Sequence, residues 1–141
     1  MIWCNRSWKV ENGDAPGLPG VPAPFDIRFQ LAYGRDVSLR GKKLGLLISA
    51  PPDHPNFAHG VRLAEVALAQ GADVYLYCLD QAVAALGNPH LQKLKNDGLK
   101  LFACAYGAQR RNLPMGEQAI FGGLTILSDV IGSVDRFVSF N

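Results

Sequence analysis

The spacing of apolar residues along this chain changes character at about residue 42. Upstream, glycine and proline recur from Gly13 to Pro24, a density that forbids a helix and predicts an extended, turn-rich connector. Phe25 to Tyr33 then places a large apolar side chain at every odd position, the period of a strand with one wet face, and Gly34 ends it.

Downstream the pattern alternates between strand and helix. Leu44 to Ala50 is a short continuous apolar run closed by Pro51 and Pro52, as expected of a strand buried on both faces. Phe57 to Gln70 has helical length and an apolar side formed by Phe57, Val61, Ala64 and Leu68, with Gly71 placed as its C-terminal cap. Val74 to Leu79 reads as a second strand. Gln81 to Leu86 and His90 to Asn96 are short helical pieces separated by Gly87-Asn88-Pro89, and Leu99 to Cys104 is a third strand. Gln118 to Gly132 is expected to form one helix, with Gly122 and Gly123 inside it for close packing, followed by a last strand from Arg136 to Phe140.

Strands joined through helices by connections of a few residues give right-handed crossovers. The expected fold is therefore α/β: a flavodoxin-like open, mainly parallel sheet with helices on both faces. Residues 1–41 are expected to form an N-terminal extension, a Pro/Gly-rich loop with an added edge strand, and residues 42–141 the α/β domain. In such sheets ligands and chemistry gather beyond the carboxyl ends of the strands. Two of the three cysteines, Cys78 and Cys104, fall on that edge.

Composition narrows the function classes. With 141 residues there is room for one ordinary domain, and the 18% of charged residues, against a typical ~25%, argues against whole-chain disorder. Fourteen basic against twelve acidic residues, spread evenly, give no nucleic-acid footprint. No apolar run reaches membrane-spanning length and the first residues do not read as a secretory signal, so a cytoplasmic protein without membrane contact is expected. Cys4, Cys78 and Cys104 are odd in number and lack CxxC or CxxH spacing, which speaks against a disulfide framework and a zinc site. No phosphate-binding glycine loop and no GxSxG elbow follow any strand. No cofactor and no metal are expected.

Cys104 is the principal chemical candidate. It ends the third strand just before Ala105 to Arg111, a segment of helix-compatible composition, so its sulfur would face the amide donors of a helix start. Arg110 and Arg111 add positive charge nearby, and both influences favour the nucleophilic thiolate. His54, in Asp53-His54-Pro55 after the first strand, is a candidate to stabilise that anion or to shuttle a proton. The competing reading makes Cys104 an inert packing residue, since cysteine is among the most buried residue types. Cys78 has no neighbouring base or cation in sequence, and His90 is expected on the surface.

The stretch Leu101-Phe102-Ala103-Cys104-Ala105-Tyr106-Gly107-Ala108-Gln109-Arg110-Arg111, with Leu44 to Pro51, the Ala-rich helix, Ala72 to Asp80 and the closing Ser133 to Phe140, resembles the DsrE/DsrF-like family of small sulfur-relay proteins. The resemblance covers about Lys43 to Asn141. It departs after the second strand, where Asp80-Gln81-Ala82-Val83 stands in place of an Asp-Gly-Val turn. It implies a cysteine that accepts and donates sulfane sulfur as a persulfide, carried by position onto Cys104, and assembly into trimers or hexamers.

Two functions are thus expected and compete. One is a cytoplasmic sulfur carrier holding a persulfide on Cys104, with sulfur donor and acceptor proteins as partners. The other is a non-catalytic oligomeric binding or scaffold module with a small-ligand or peptide pocket at the strand edge. Ile120, Phe121, Leu124, Ile126, Leu127, Val130 and Ile131 surround the expected last helix on all sides, which predicts that another copy of the chain covers it.

Overall fold

The computed structural model describes residues 39–141. The expectations for the N-terminal strand at Phe25–Tyr33 and for Cys4 lie outside the described residues. Strands β1 (Lys43–Ile48), β2 (Asp73–Cys78), β3 (Lys100–Cys104), β4 (Ile120–Gly122) and β5 (Arg136–Phe140) form one sheet of order β4-β3-β2-β1-β5, with every neighbouring pair parallel. The open parallel α/β sheet expected from the sequence is the architecture observed.

The connections follow from local chemistry. Helix α1 (Pro55–Ala69) and helix α2 (Pro89–Asn96) begin in the same way: a polar side chain caps the first turn and proline occupies its start, where no amide is missed. The His54 ring accepts from the Asn56 amide at 3.2 Å, and the Asn88 side chain accepts from the His90 amide at 2.8 Å. Both helices end on a glycine with positive φ, Gly71 at +82° and Gly98 at +112°, which a residue with a Cβ would adopt only at a cost. A 3₁₀ helix (Asp80–Ala85) links β2 to α2, and a short helix α3 (Ala105–Arg110) follows β3 directly.

The core lies between the sheet and these helices. Leu46, Ile48, Val74, Leu76, Leu101 and Ala103 are buried at alternate strand positions, and α1 answers with Phe57, Val61, Ala64 and Ala67. Gly60 permits the closest approach of that helix, since a Cβ there would stand 2.6 Å from the Ile48 Cδ1 and 3.1 Å from the Phe140 ring. Among the described residues no helix is long and apolar enough to cross a membrane.

The last unit differs from the sequence expectation. Gln118 to Gly132 is not one helix: Ile120–Gly122 pairs with β3 as β4, Gly123 caps the next element, and helix α4 spans Leu124–Ser133. An unbroken apolar run of this length has no periodicity that separates strand from helix, and the register Phe102 to Ile120, Ala103 to Phe121 decides the matter. Gly122 is needed for a tight strand-to-helix turn, because a Cβ there would come within 2.1 Å of the Ile126 Cδ1. The apolar residues consequently do not encircle one helix. Val130 is buried, Ile126 and Leu127 pack on the core, and Ile120, Leu124 and Ile131 are exposed at 55%, 64% and 47%.

This topology has one switch point. Successive right-handed crossovers from β1 to β4 step across the sheet in one direction and keep their helices on one face, whereas the return from β4 to β5 puts α4 on the other. The chain therefore leaves β3 and β4 toward opposite faces, and their carboxyl ends are the place where open α/β sheets gather ligands. Cys104 and Gly122 are register partners at that switch point.

Candidate functional site

Cys104 is both the last residue of β3 and the N-cap of α3. Its Sγ accepts the Gly107 amide at 3.5 Å, satisfying one of the amides that a helix start leaves without an internal partner. A thiolate there would take a charge-assisted hydrogen bond from a group fixed by the backbone. The absence of a side chain at Gly107 suits the site: a Cβ there would already stand 3.3 Å from Val83. Cys104 retains 7% exposure, whereas Cys78 retains none. Burial also pushes the Cys78 thiol up to about 12, so it is protonated and enclosed at neutral pH.

The two arginines are engaged in different ways. Arg111 donates to the Asp80 carboxylate at 2.6 Å and to the Gly107 carbonyl at 3.3 Å, tying the end of α3 to the turn after β2. Its charge is matched by Asp80, and its geometric effect is to hold the Gly107 turn that faces the sulfur. Asp80 has a φ of 47°, an uncommon left-handed conformation for a residue with a Cβ, at the same strand edge. Arg110 lies over the Tyr106 ring at 5.9 Å. His54 is exposed, occupied by capping α1, and belongs to the loop after β1, with β2 between that strand and β3. The structure therefore groups Arg111 with the Cys104 turn and leaves His54 apart from it. His90 stands 3.7 Å from Glu65 at the surface.

Two parts of the site escape the sequence. The first is the β4 terminus, hidden in the apolar run. The second is Tyr77, which is fully buried and donates its hydroxyl to the Gly122 and Gly123 carbonyls at 3.1 and 3.2 Å. The phenol reaches across the end of β3, from β2 to β4, on the side of the sheet that Cys104 shares. Burial foremost, and then the Cys104 sulfur, push the Tyr77 hydroxyl up to about 12. A tyrosine in a fully buried strand position needs a partner for its oxygen, and that requirement was the available signal.

Among the described residues, no cluster of three or more His, Cys, Asp or Glu could hold a metal ion. The arrangement is that of one nearly buried sulfur at a strand-to-helix turn, with an amide donor at the helix start and a phenol reaching the neighbouring strand end. Such a group can act as a nucleophile and as a leaving group in exchange at sulfur.

Comparison with known proteins agrees with the fold. The model of the DsrE/DsrF-like family matches residues 42–140. The crystal structure of the ychN protein from E. coli shares the fold with a TM-score of 0.59, covering 70% of this chain and 98% of its own, at 22% identity. No curated protein matches the chain.

Proposed function

The chain belongs to the DsrE/DsrF-like family, and from that premise we propose that it is a cytoplasmic sulfur carrier working through a persulfide on Cys104. The observation that carries this reading is the position of the Cys104 sulfur, accepting an amide at the start of α3 at the carboxyl end of β3, in register with the end of β4. In loading, the Cys104 thiolate attacks the outer sulfur of a donor persulfide. The new Sγ–S bond forms as the donor S–S bond breaks, and the electron pair leaves on the donor thiolate. In unloading, an acceptor thiolate attacks the same outer sulfur and Cys104 departs as thiolate. Each step is a two-electron exchange at sulfur that requires no cofactor.

Donor and acceptor must each reach the carboxyl end of β3, so both are proteins or small thiols that present sulfur at an exposed end. We also propose that the chain self-associates as a trimer or hexamer through Leu124 and Ile131, which lie seven residues apart on one exposed side of α4.

The reading is tested by transfer. Protein loaded from a persulfide donor and freed of it is mixed with an acceptor thiol. The carrier should return to its unloaded mass while the acceptor gains the sulfur. Sulfur that stays on the chain, or is lost without appearing on the acceptor, contradicts it.

A further inference from the structure

The pairing of β3 with β4 puts the Gly122 and Gly123 carbonyls beside Cys104, and the Tyr77 hydroxyl is held by those two carbonyls. Neighbouring strands lie ~4.8 Å apart, so a side chain that starts on β2 and ends at β4 crosses the whole width of β3. Tyr77 pairs with Phe102, and strand alternation sets Phe102 and Cys104 on the same face of β3. The phenolic oxygen is consequently delivered to the end of β3, where the sulfur stands.

We infer that Tyr77 is a switchable hydrogen-bond donor for Cys104, turning its proton from the β4 carbonyls to the sulfur whenever that sulfur carries negative charge. A phenol has one proton and can give it fully to only one acceptor. While Cys104 is a thiol or a loaded persulfide, Sγ is neutral and the proton rests on the Gly122 and Gly123 carbonyls. When Cys104 is the attacking thiolate, or the leaving thiolate after unloading, the charged sulfur is the stronger acceptor. The rotation moves no proton between residues and changes no covalent bond. Its effect on transfer comes in the unloading step, because a stabilised leaving thiolate departs faster.

The surroundings leave few other groups to produce such a response. Among the described residues, the titratable and charged groups at these element ends are the enclosed Cys78 of β2, Asp80 from the turn after it, already paired with Arg111 from the end of α3, and Tyr106 with Arg110, which face each other on α3. Residues 120–128, which form β4 and the first turn of α4, contain no ionisable side chain. The direction in which Cys104 displaces the Tyr77 ionisation agrees with a phenol that donates to the sulfur.

This inference rests on Cys104 as the sulfur carrier, yet it can be tested without any sulfur donor. Alkylation of the tryptic peptide 101–110 by iodoacetamide is followed against pH in the wild type, Tyr77→Phe and Tyr75→Phe. Tyr75 is a matched control: it lies two residues earlier on the same face, and its hydroxyl accepts from Lys100 at 2.9 Å. For Tyr77→Phe the pH of half-maximal alkylation should rise by about one unit, the effect of losing one hydrogen bond to a charged sulfur. Tyr75→Phe should match the wild type. Site-specific 3,5-difluorotyrosine at position 77, a more acidic donor that keeps the ring and hydroxyl, should move the profile downward; this also serves if Tyr77→Phe does not fold. An unmoved profile in the Tyr77 variants, or an equal shift in Tyr75→Phe, overturns the inference. Failed persulfide loading with a shifted profile would instead sink the proposed function and leave the hydrogen bond standing.

Discussion

Arg111 meets Asp80 at 2.6 Å and, through its other terminal nitrogen, the Gly107 carbonyl at 3.3 Å. One planar fork therefore joins the turn after β2 to the helix start that faces Cys104. Lysine carries the same charge but cannot span both acceptors with a rigid fork. Arg111→Lys should lower alkylation of Cys104 several-fold while costing less than ~1 kcal/mol of stability, as befits a partly exposed pair. Alkylation kinetics beside a thermal melt check this, and a lysine variant as reactive as the wild type would show that charge, not bridging, is what matters.

Tyr77 and Cys78 shape the alkaline limb of stability. Burial raises the Tyr77 hydroxyl from 10.0 to about 12 and the Cys78 thiol from 9.0 to about 12. The unfolded chain thus gives up these protons before the folded one, so their contribution is complete below pH 9 and is lost as pH rises toward 12. Denaturant midpoints measured from about pH 8 to about pH 11.5 should fall steeply in the wild type and less steeply in a Tyr77→Phe, Cys78→Ala double variant. Parallel curves would show that these two groups do not set the alkaline limb.

Cys78 also separates structure from chemistry. It is fully buried, so Cys78→Ser places a hydroxyl in the core and should cost about 1–3 kcal/mol, with Cys78→Ala costing less. Neither change should alter the amount of persulfide that the folded protein holds. A loss of loading in proportion to Cys78 removal, at unchanged fold, would make Cys78 a participant.

Leu124 and Ile131 project from α4 at 64% and 47% exposure. If another copy of the chain covers them, a Leu124→Glu, Ile131→Glu variant should elute and scatter as a smaller species, because two buried carboxylates would each lack a partner. An unchanged mass by light scattering would place self-association elsewhere or remove it.

The legibility of the fold in the sequence follows the strength of each local signal. β1, β2, β3 and β5 are short apolar runs closed by turn residues, and α1 carries proline at its start and glycine after its end, so all five could be read directly. β4 could not be, since three apolar residues continuous with an apolar helix have no period of their own and are defined by pairing with β3. The strand order was equally out of reach, because it is a long-range property. Cys104 was legible through its place between a strand and a helix. Tyr77 was not, as its role depends on the two carbonyls that the unread strand supplies. His54 shows the opposite case: its sequence position beside a strand end suggested chemistry, and the structure has it capping α1.

The central claim is that Cys104 holds the sulfur. Wild-type protein and Cys104→Ser are incubated with a persulfide donor, digested without reductant, and the peptide 101–110 is weighed. The peptide should gain the mass of one sulfur atom in the wild type and gain nothing in Cys104→Ser, with the peptide bearing Cys78 unchanged in both. A wild-type peptide 101–110 that gains no sulfur from any persulfide donor, while the protein remains folded, would contradict the claim.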